Sequence, residues 1–170
     1  MMCGITGTPG TGKSIIADEL SRRGHTVVHI NDLTDRYLYG EDTERDTQVI
    51  DVDRMADEFE KVDGFIEGHF AHVFSCDRIV ILRCRPDELK KRLKERKYRP
   101  KKIRENAEAE ALDCILFETV EEYKPRQILE LDTTGRDPAW CADQIEGFLD
   151  GTVPASFGSI DWSGYLKVGK

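Results

Sequence analysis

A three-layer α/β domain, with helices on both faces of a five-stranded parallel sheet, is the fold class this sequence predicts, and three observations predict it. Apolar, β-rich runs recur at residues 3–6, 26–30, 64–67, 78–83 and 127–132, and most of the stretches between them can be helical. The run Ile79-Val80-Ile81-Leu82 is continuously apolar, as a strand buried on both faces must be. A glycine-rich octapeptide, Gly7-Thr8-Pro9-Gly10-Thr11-Gly12-Lys13-Ser14, follows the first run and precedes Ile15, Ile16 and Leu20 at helical spacing. With 170 residues, 39% of them hydrophobic, the chain can bury one core and is too short for two ordinary domains. One domain is expected over 1–150. Residues 151–170 read as a tail rich in Gly, Ser and Pro. Its Phe157, Ile160, Trp162, Tyr165 and Leu166 suit docking on the body or on a partner better than a free linker.

The octapeptide fits G-x-x-x-x-G-K-[ST], the phosphate-binding loop. Its glycines Gly7, Gly10 and Gly12 let backbone N–H groups converge on phosphate oxygens. Lys13 then places an ammonium on the β and γ phosphates, Ser14 offers its hydroxyl to Mg²⁺, and the helix that follows points its positive end at the anion. ATP with Mg²⁺ is the expected ligand, held along Gly7, Thr8, Gly10, Thr11, Gly12, Lys13, Ser14 and Ile15. The alternative, an ordinary glycine-rich turn, agrees with neither flank.

After the second strand, residues 31–53 form a polar, acidic insertion. Arg36, Arg45 and Arg54 are cations that could hold an acceptor phosphate, and a plain surface loop is the competing reading. The third strand ends Phe65-Ile66-Glu67-Gly68-His69-Phe70. A carboxylate at a strand tip beside the loop suits Glu67 to orient Mg²⁺, directly or through water. His69 projects toward the same γ-phosphate, where it could position a water, or it is a structural loop histidine. His69 and His72 make an H-x-x-H pair with no third metal ligand at a suitable spacing.

Pro86 with Asp87 and Glu88 suits a helix start, with Leu89 and Leu93 on one face. Pro100 breaks that helix after Tyr98-Arg99, and Ala107, Ala111 and Ile115 continue a second one. Helix, break, helix is a lid-like layout over about 96–106, and Arg96 leads its candidates ahead of Arg99, Lys101, Lys102 and Arg104. Asp132-Thr133-Thr134-Gly135 ends the last strand, and residues 138–149 read as the closing helix, with Trp140, Ile145 and Phe148 apolar.

The net charge of −8 is uneven. Residues 83–104 hold 12 basic and 3 acidic side chains, whereas the remainder holds 13 basic and 30 acidic. A basic arm on an acidic body suits a solvated helix face, a nucleic-acid patch or a lid over polyphosphate. Five cysteines without C-x-x-C spacing indicate neither a disulfide framework nor a zinc site. No apolar run approaches the roughly 20 residues of a membrane span, so a cytoplasmic location is expected. A GTPase would need N/T-K-x-D, which the sequence lacks.

Taken together, Gly7 to Ser14, Asn31-Asp32-Leu33, residues 49–54, Glu67-Gly68-His69, and residues 92–98 followed by Lys101-Lys102 and Asn106 resemble the adenylate kinase isoenzyme six family, also described as the coilin-interacting nuclear ATPase type. The resemblance covers about residues 2–149. It implies a P-loop NTPase fold like that of nucleoside monophosphate kinases, with a monophosphate-binding insertion and a short lid. It further implies a broad-specificity nucleoside monophosphate kinase, AMP first among its acceptors, with ATPase activity. A role in late maturation of the small ribosomal subunit is also implied, through a ribosomal protein of the uS-eleven family. By position, Lys13, Glu67, His69 and Arg96 would be catalytic, Arg96 would contact ATP, and Asp32, Arg36 and Arg54 would face the monophosphate. The family's third-strand motif is commonly Asp-x-His, from which Glu67 departs by one methylene. An ATP-driven assembly factor with incidental kinase activity is the alternative function, and RNA binding by the basic arm a weaker third.

Overall fold

Four of the five apolar runs become strands buried along nearly their whole length, and the run at 26–30 becomes a half-buried edge strand. In the computed structural model, which describes residues 1–42 and 47–166, the chain runs β1 (Met2–Gly7), α1 (Lys13–Arg22), β2 (Val27–His29), β3 (Leu38–Asp42), β4 (Thr47–Ile50), α2 (Val52–Glu58), β5 (Gly64–Glu67), β6 (Arg78–Arg83), α3 (Pro86–Glu95), α4 (Pro100–Ala111), α5 (Cys114–Glu122), β7 (Ile128–Asp132) and α6 (Pro138–Asp150). Five strands form one parallel sheet in the order β2-β5-β1-β6-β7, the α/β/α fold of P-loop NTPases. Successive side chains alternate between faces. Ile66, Ile79 and Ile81 join Met55, Phe74 and Leu116 on the side covered by α2 and α5. Phe65, Val80 and Leu82 join Ile16, Leu20 and Ile145 on the side covered by α1 and α6. The crossovers from β1 and β6 diverge to opposite sides, so a crevice opens at the C-terminal end of β1.

The insertion differs from the loop reading. Residues 30–37 form a 3-10 turn, β3 and β4 pair antiparallel as a hairpin, and Asp51 caps α2 by accepting the Arg54 N–H at 3.1 Å. Nothing in residues 38–50 carries a two-residue turn signal or a strict apolar alternation, which is why the hairpin is hard to read. Arg45 lies outside the described residues.

A second correction concerns the helix after Pro100. The spacing of Ala107, Ala111 and Ile115 predicts one continuous helix, but α4 stops at Ala111 and α5 starts at Cys114. Asp113 adopts a left-handed conformation, φ +56°. The Arg83 guanidinium explains the break, since it pairs with the Asp113 carboxylate and also donates to the Glu110 carbonyl at 3.0 Å.

The tail docks on the body. Ser156 bridges Leu129 at the sheet edge, with Glu130 N–H donating to Ser156 O at 2.7 Å. Val153 and Phe157 pack against the two cores, and the turn Ser163–Tyr165 lies against α4. Among the described residues no helix is long and apolar enough to cross a membrane.

Between α3 and α4, Lys97 takes φ +59° where helices usually end on glycine. Its N–H donates to Lys94 O (2.9 Å) and the Tyr98 N–H to Leu93 O (3.1 Å), the Schellman pattern. Lys97→Gly therefore stabilises the fold by about 0.5–1 kcal/mol, relieving the left-handed strain. Calorimetry should show a rise of about 1–3 °C in Tm; a fall would refute the reading of this turn.

Candidate functional site: a cleft between the P-loop and helices α3 and α4

The loop from Gly7 to Ser14 curls because two positions cannot carry a Cβ. At Gly7 (φ +148°) a Cβ would sit 2.5 Å from the Leu82 carbonyl oxygen. At Gly10 (φ +92°) it would meet Leu89 and Leu93 at 2.9 and 3.0 Å. Gly10 thus lets α3 pack directly on the loop, and Leu89, Leu93 and Cys84 form a small core there with Tyr98 and Ile103. Thr8 O closes the curl by accepting from the Thr11 N–H (3.2 Å) and hydroxyl (2.9 Å). Lys13, at the first position of α1, donates to Gly7 O (2.8 Å) and Thr8 O (3.1 Å). Burial pushes its ammonium down to about 8, against the opposing pull of Glu67.

Over the loop lies a cleft of about 1070 Å³. Gly10, Thr11, Gly12, Lys13, Ser14 and Ile15 form its floor, and Glu67, His69 and Arg96 stand on its walls. The structure therefore gathers most of the residues expected around a triphosphate. Gly7 and Thr8 lie beneath the floor, buried, and act on the cleft through the loop. Asp32, Arg36 and Arg54 lie outside the cleft lining, which reaches only Asn31 on that side. Arg54 pairs with Glu58 at 2.8 Å and stacks over Tyr37.

Glu67 ends β5 beside Ile5 of β1, and its Oε2 meets His29 Nδ1 at 2.8 Å. This contact orients the carboxylate at the strand tip, where the residue is only 4% exposed. His69 sits in the cleft mouth, with one edge of the ring open to solvent and the rest surrounded by the cleft walls. Desolvation by the cleft walls, then Lys13, His72 and Lys102, holds its imidazole down, to about 4, so it is neutral at pH 7. His72 is buried, with Nδ1 2.9 Å from Thr6 Oγ1 and Nε2 2.8 Å from Glu118 Oε2. Both its ring nitrogens are engaged in this bridge between β1 and α5. Ser14 and Glu67 offer hard oxygen donors that suit Mg²⁺. Among the described residues no group of three His, Cys, Asp or Glu could hold a metal alone, so phosphate oxygens and water would complete the shell.

The lining also contains Arg92, Asn106 and Arg136, to which the sequence alone assigned no role, and Lys102, one of the lid candidates behind Arg96. Arg92 reaches Gly10 O and Thr133 O, each at 3.4 Å, and its spacing of four from Arg96 was the available signal. Lys102 and Asn106 enter from α4, and Arg136 stacks over Trp140 at 4.6 Å. Lys13, Arg92, Arg96, Lys102 and Arg136 thus converge on one crevice that also presents Glu67. Such a set can bind, orient and neutralise a polyphosphate in the manner of phosphoryl-transfer sites.

Fold and cleft define the class: a P-loop α/β protein of the nucleotide-kinase layout. The AAA domain family model matches residues 3–113. Over 169 residues the chain is 41% identical to the "Putative adenylate kinase" of Natronomonas pharaonis, covering 98% of this chain and 100% of that one. The like-named protein of Halobacterium salinarum is 39% identical over 170 residues, covering 98% and 100%. Among solved structures, deoxyadenosine kinase from M. mycoides superposes with TM-score 0.61 at 14% identity, over 89% of this chain and 100% of that one. TT1252 from Thermus thermophilus gives 0.56 at 15% identity, over 89% and 97%. The chain belongs to the AAA domain family and to the family of these archaeal proteins.

Proposed function

We propose that this protein is a nucleoside monophosphate kinase that transfers the γ-phosphoryl group of ATP to a monophosphate, AMP first, and also hydrolyses ATP. The observation that carries this reading is the convergence of Lys13, Arg96 and Glu67 on one cleft over the P-loop. The names of its archaeal relatives support it. In transfer, an acceptor phosphate oxygen forms the new bond to the γ-phosphorus while the bond to the β–γ bridging oxygen breaks, giving ADP and a nucleoside diphosphate. Lys13 and Arg96 neutralise charge on the transferred group; Ser14 and Glu67, the latter directly or through water, would hold a Mg²⁺ ion, which would supply further charge neutralisation. Residues 31–53 form the monophosphate-binding region, with Asp32 and Arg36 within it and Arg54 just after it turning toward the acceptor, and 96–106 form the lid. Neutral His69 accepts a hydrogen bond from the water that competes with the acceptor.

A second reading makes the chain a cytoplasmic ATP-driven factor in small-subunit maturation. The acidic remainder, 30 acidic against 13 basic residues, favours it, because such a surface attracts a basic ribosomal protein of the uS-eleven type. RNA binding by the basic arm is a further possibility of the same kind, read by salt-dependent retention.

ADP formation from ATP alone, with AMP, CMP or UMP, and with the purified ribosomal protein separates these readings. The kinase reading expects a monophosphate to raise turnover, and it fails when only the ribosomal protein does. His69→Ala is expected to lower hydrolysis more than transfer. Because His69 is held well below the ordinary histidine range in the free protein, kcat/KM for wild-type hydrolysis is expected to show no His69 inflection near pH 6.5.

A further inference from the structure

We infer that Glu110 is a positioning residue that pins α4 to the P-loop through Thr8 and thereby fixes where the lid's cations stand over the donor phosphates. The inference rests on the nucleotide-binding reading of the cleft. Glu110 lies in the last turn of α4 and is 3% exposed. Its two carboxylate oxygens divide their work. Oε2 accepts from the Thr8 hydroxyl at 2.5 Å. Oε1 accepts from Arg83 Nε at 2.8 Å and from the Cys84 N–H at 3.0 Å. One side chain therefore ties a helix outside the sheet both to the P-loop and to the end of β6.

Thr8 is the right residue to hold. Its carbonyl accepts from Thr11 and from Lys13 Nζ, so any rotation of Thr8 moves the ammonium that grips the phosphates. Charge alone gives no reason for the contact, because a carboxylate beside a phosphate site opposes anion binding. Arg83 offsets that charge. Its guanidinium also pairs with Glu130 and Asp113, and Glu130 in turn accepts from the Gly158 N–H of the tail at 2.7 Å. The pin is thus anchored in the sheet edge and in the docked tail.

The far end of α4 carries the other half of the site. Lys102 lies eight residues before Glu110, about 12 Å along a rigid helix, and it lines the cleft with Asn106 and with Arg96 from the preceding turn. A helix fixed at one end to the P-loop carries its other end to a set distance from Lys13. Loss of the pin frees that distance, and a displacement on the order of 1 Å in such a site costs up to about 10²-fold in rate.

Three variants of the full chain test this. Thr8→Val keeps shape and removes the hydroxyl, Thr8→Ser keeps the hydroxyl, and Glu110→Asp keeps the charge on Arg83 but shortens the reach. ATP affinity is read by titration with a fluorescent ATP analogue, and kcat and KM by AMP phosphorylation. Thr8→Val and Glu110→Asp are expected to weaken ATP binding and to lower kcat by about tenfold or more, with KM for AMP nearly unchanged. Thr8→Ser, which keeps the hydroxyl that Glu110 accepts from, is expected to recover most of what Thr8→Val loses. The inference is overturned when both disrupting variants retain wild-type ATP affinity and kcat, or when serine fails to restore them. Should Thr8→Val fail to fold, Glu110→Asp and Thr8→Ser decide alone. A wild-type chain that transfers nothing to AMP refutes the kinase reading instead, and the ATP affinities of the variants then settle this one.

Discussion

Lys13→Ala is expected to reduce ATP turnover, with or without an acceptor, by at least about 10³-fold, on the scale of other preorganised charge contacts to a transferring phosphoryl group. The size follows from position. Lys13 is held at the start of α1 by the carbonyls of Gly7 and Thr8, in the floor of the cleft over the P-loop. Burial has already lowered its pKa to about 8, and an arriving triphosphate restores the charged form. The sign of the pH dependence follows. Below pH 8 the ammonium is present before ATP binds; above it, binding must also take up a proton, so affinity falls as pH rises through 8. An ATP titration from pH 6.5 to 9.5 should show that fall in the wild type and none in Lys13→Ala. A variant within tenfold of wild-type turnover would contradict the assignment.

Arg83→Met is expected to be the most damaging substitution for stability. Arg83 is 2% exposed at the end of β6 and holds Glu110, Glu130 and Asp113. Burial alone would lower its pKa, but Glu110 first and then the other carboxylates outweigh this and raise it above its ordinary value. Methionine fills a similar volume and leaves the carboxylates of Glu110 and Glu130 buried without a cation, a loss of about 3–5 kcal/mol. In a chain of this size Tm should drop by roughly 10 °C. Adding Glu130→Gln removes one of those charges and should recover part of the loss. A drop of under about 2 °C, less than 1 kcal/mol in a chain of this size, would mean that the cluster is not an electrostatic unit.

Arg83 also shows where sequence reasoning reached and where it stopped. The five strands were legible because Ile79 to Leu82 and the other apolar runs must be buried wherever they lie, and the octapeptide because its chemistry fixes its geometry. Glu67, His69 and Arg96 followed from their distance along the chain from those landmarks. In the sequence Arg83 both ends the β-rich run 78–83 and opens the basic arm 83–104, and a cation at such a boundary looks solvated. Only the meeting of β6, β7 and α4 makes it internal. Glu110 offered a weak signal, a carboxylate three residues after Ala107 on the buried face of its helix. The hairpin gave almost none, because its pairing depends on the frame around it rather than on its own pattern. Asp32, Arg36 and Arg54 were read from order along the chain, and the fold sets them beyond the cleft's walls.

The fate of the γ-phosphate tests the central claim most directly. With ATP labelled at the γ position, saturating AMP and Mg²⁺, products are separated and the label counted. The cleft between P-loop and lid helices, read as a kinase site, predicts label in the β position of newly formed ADP, lost on Lys13→Ala. Label found solely in inorganic phosphate, at a rate indifferent to AMP, would contradict it.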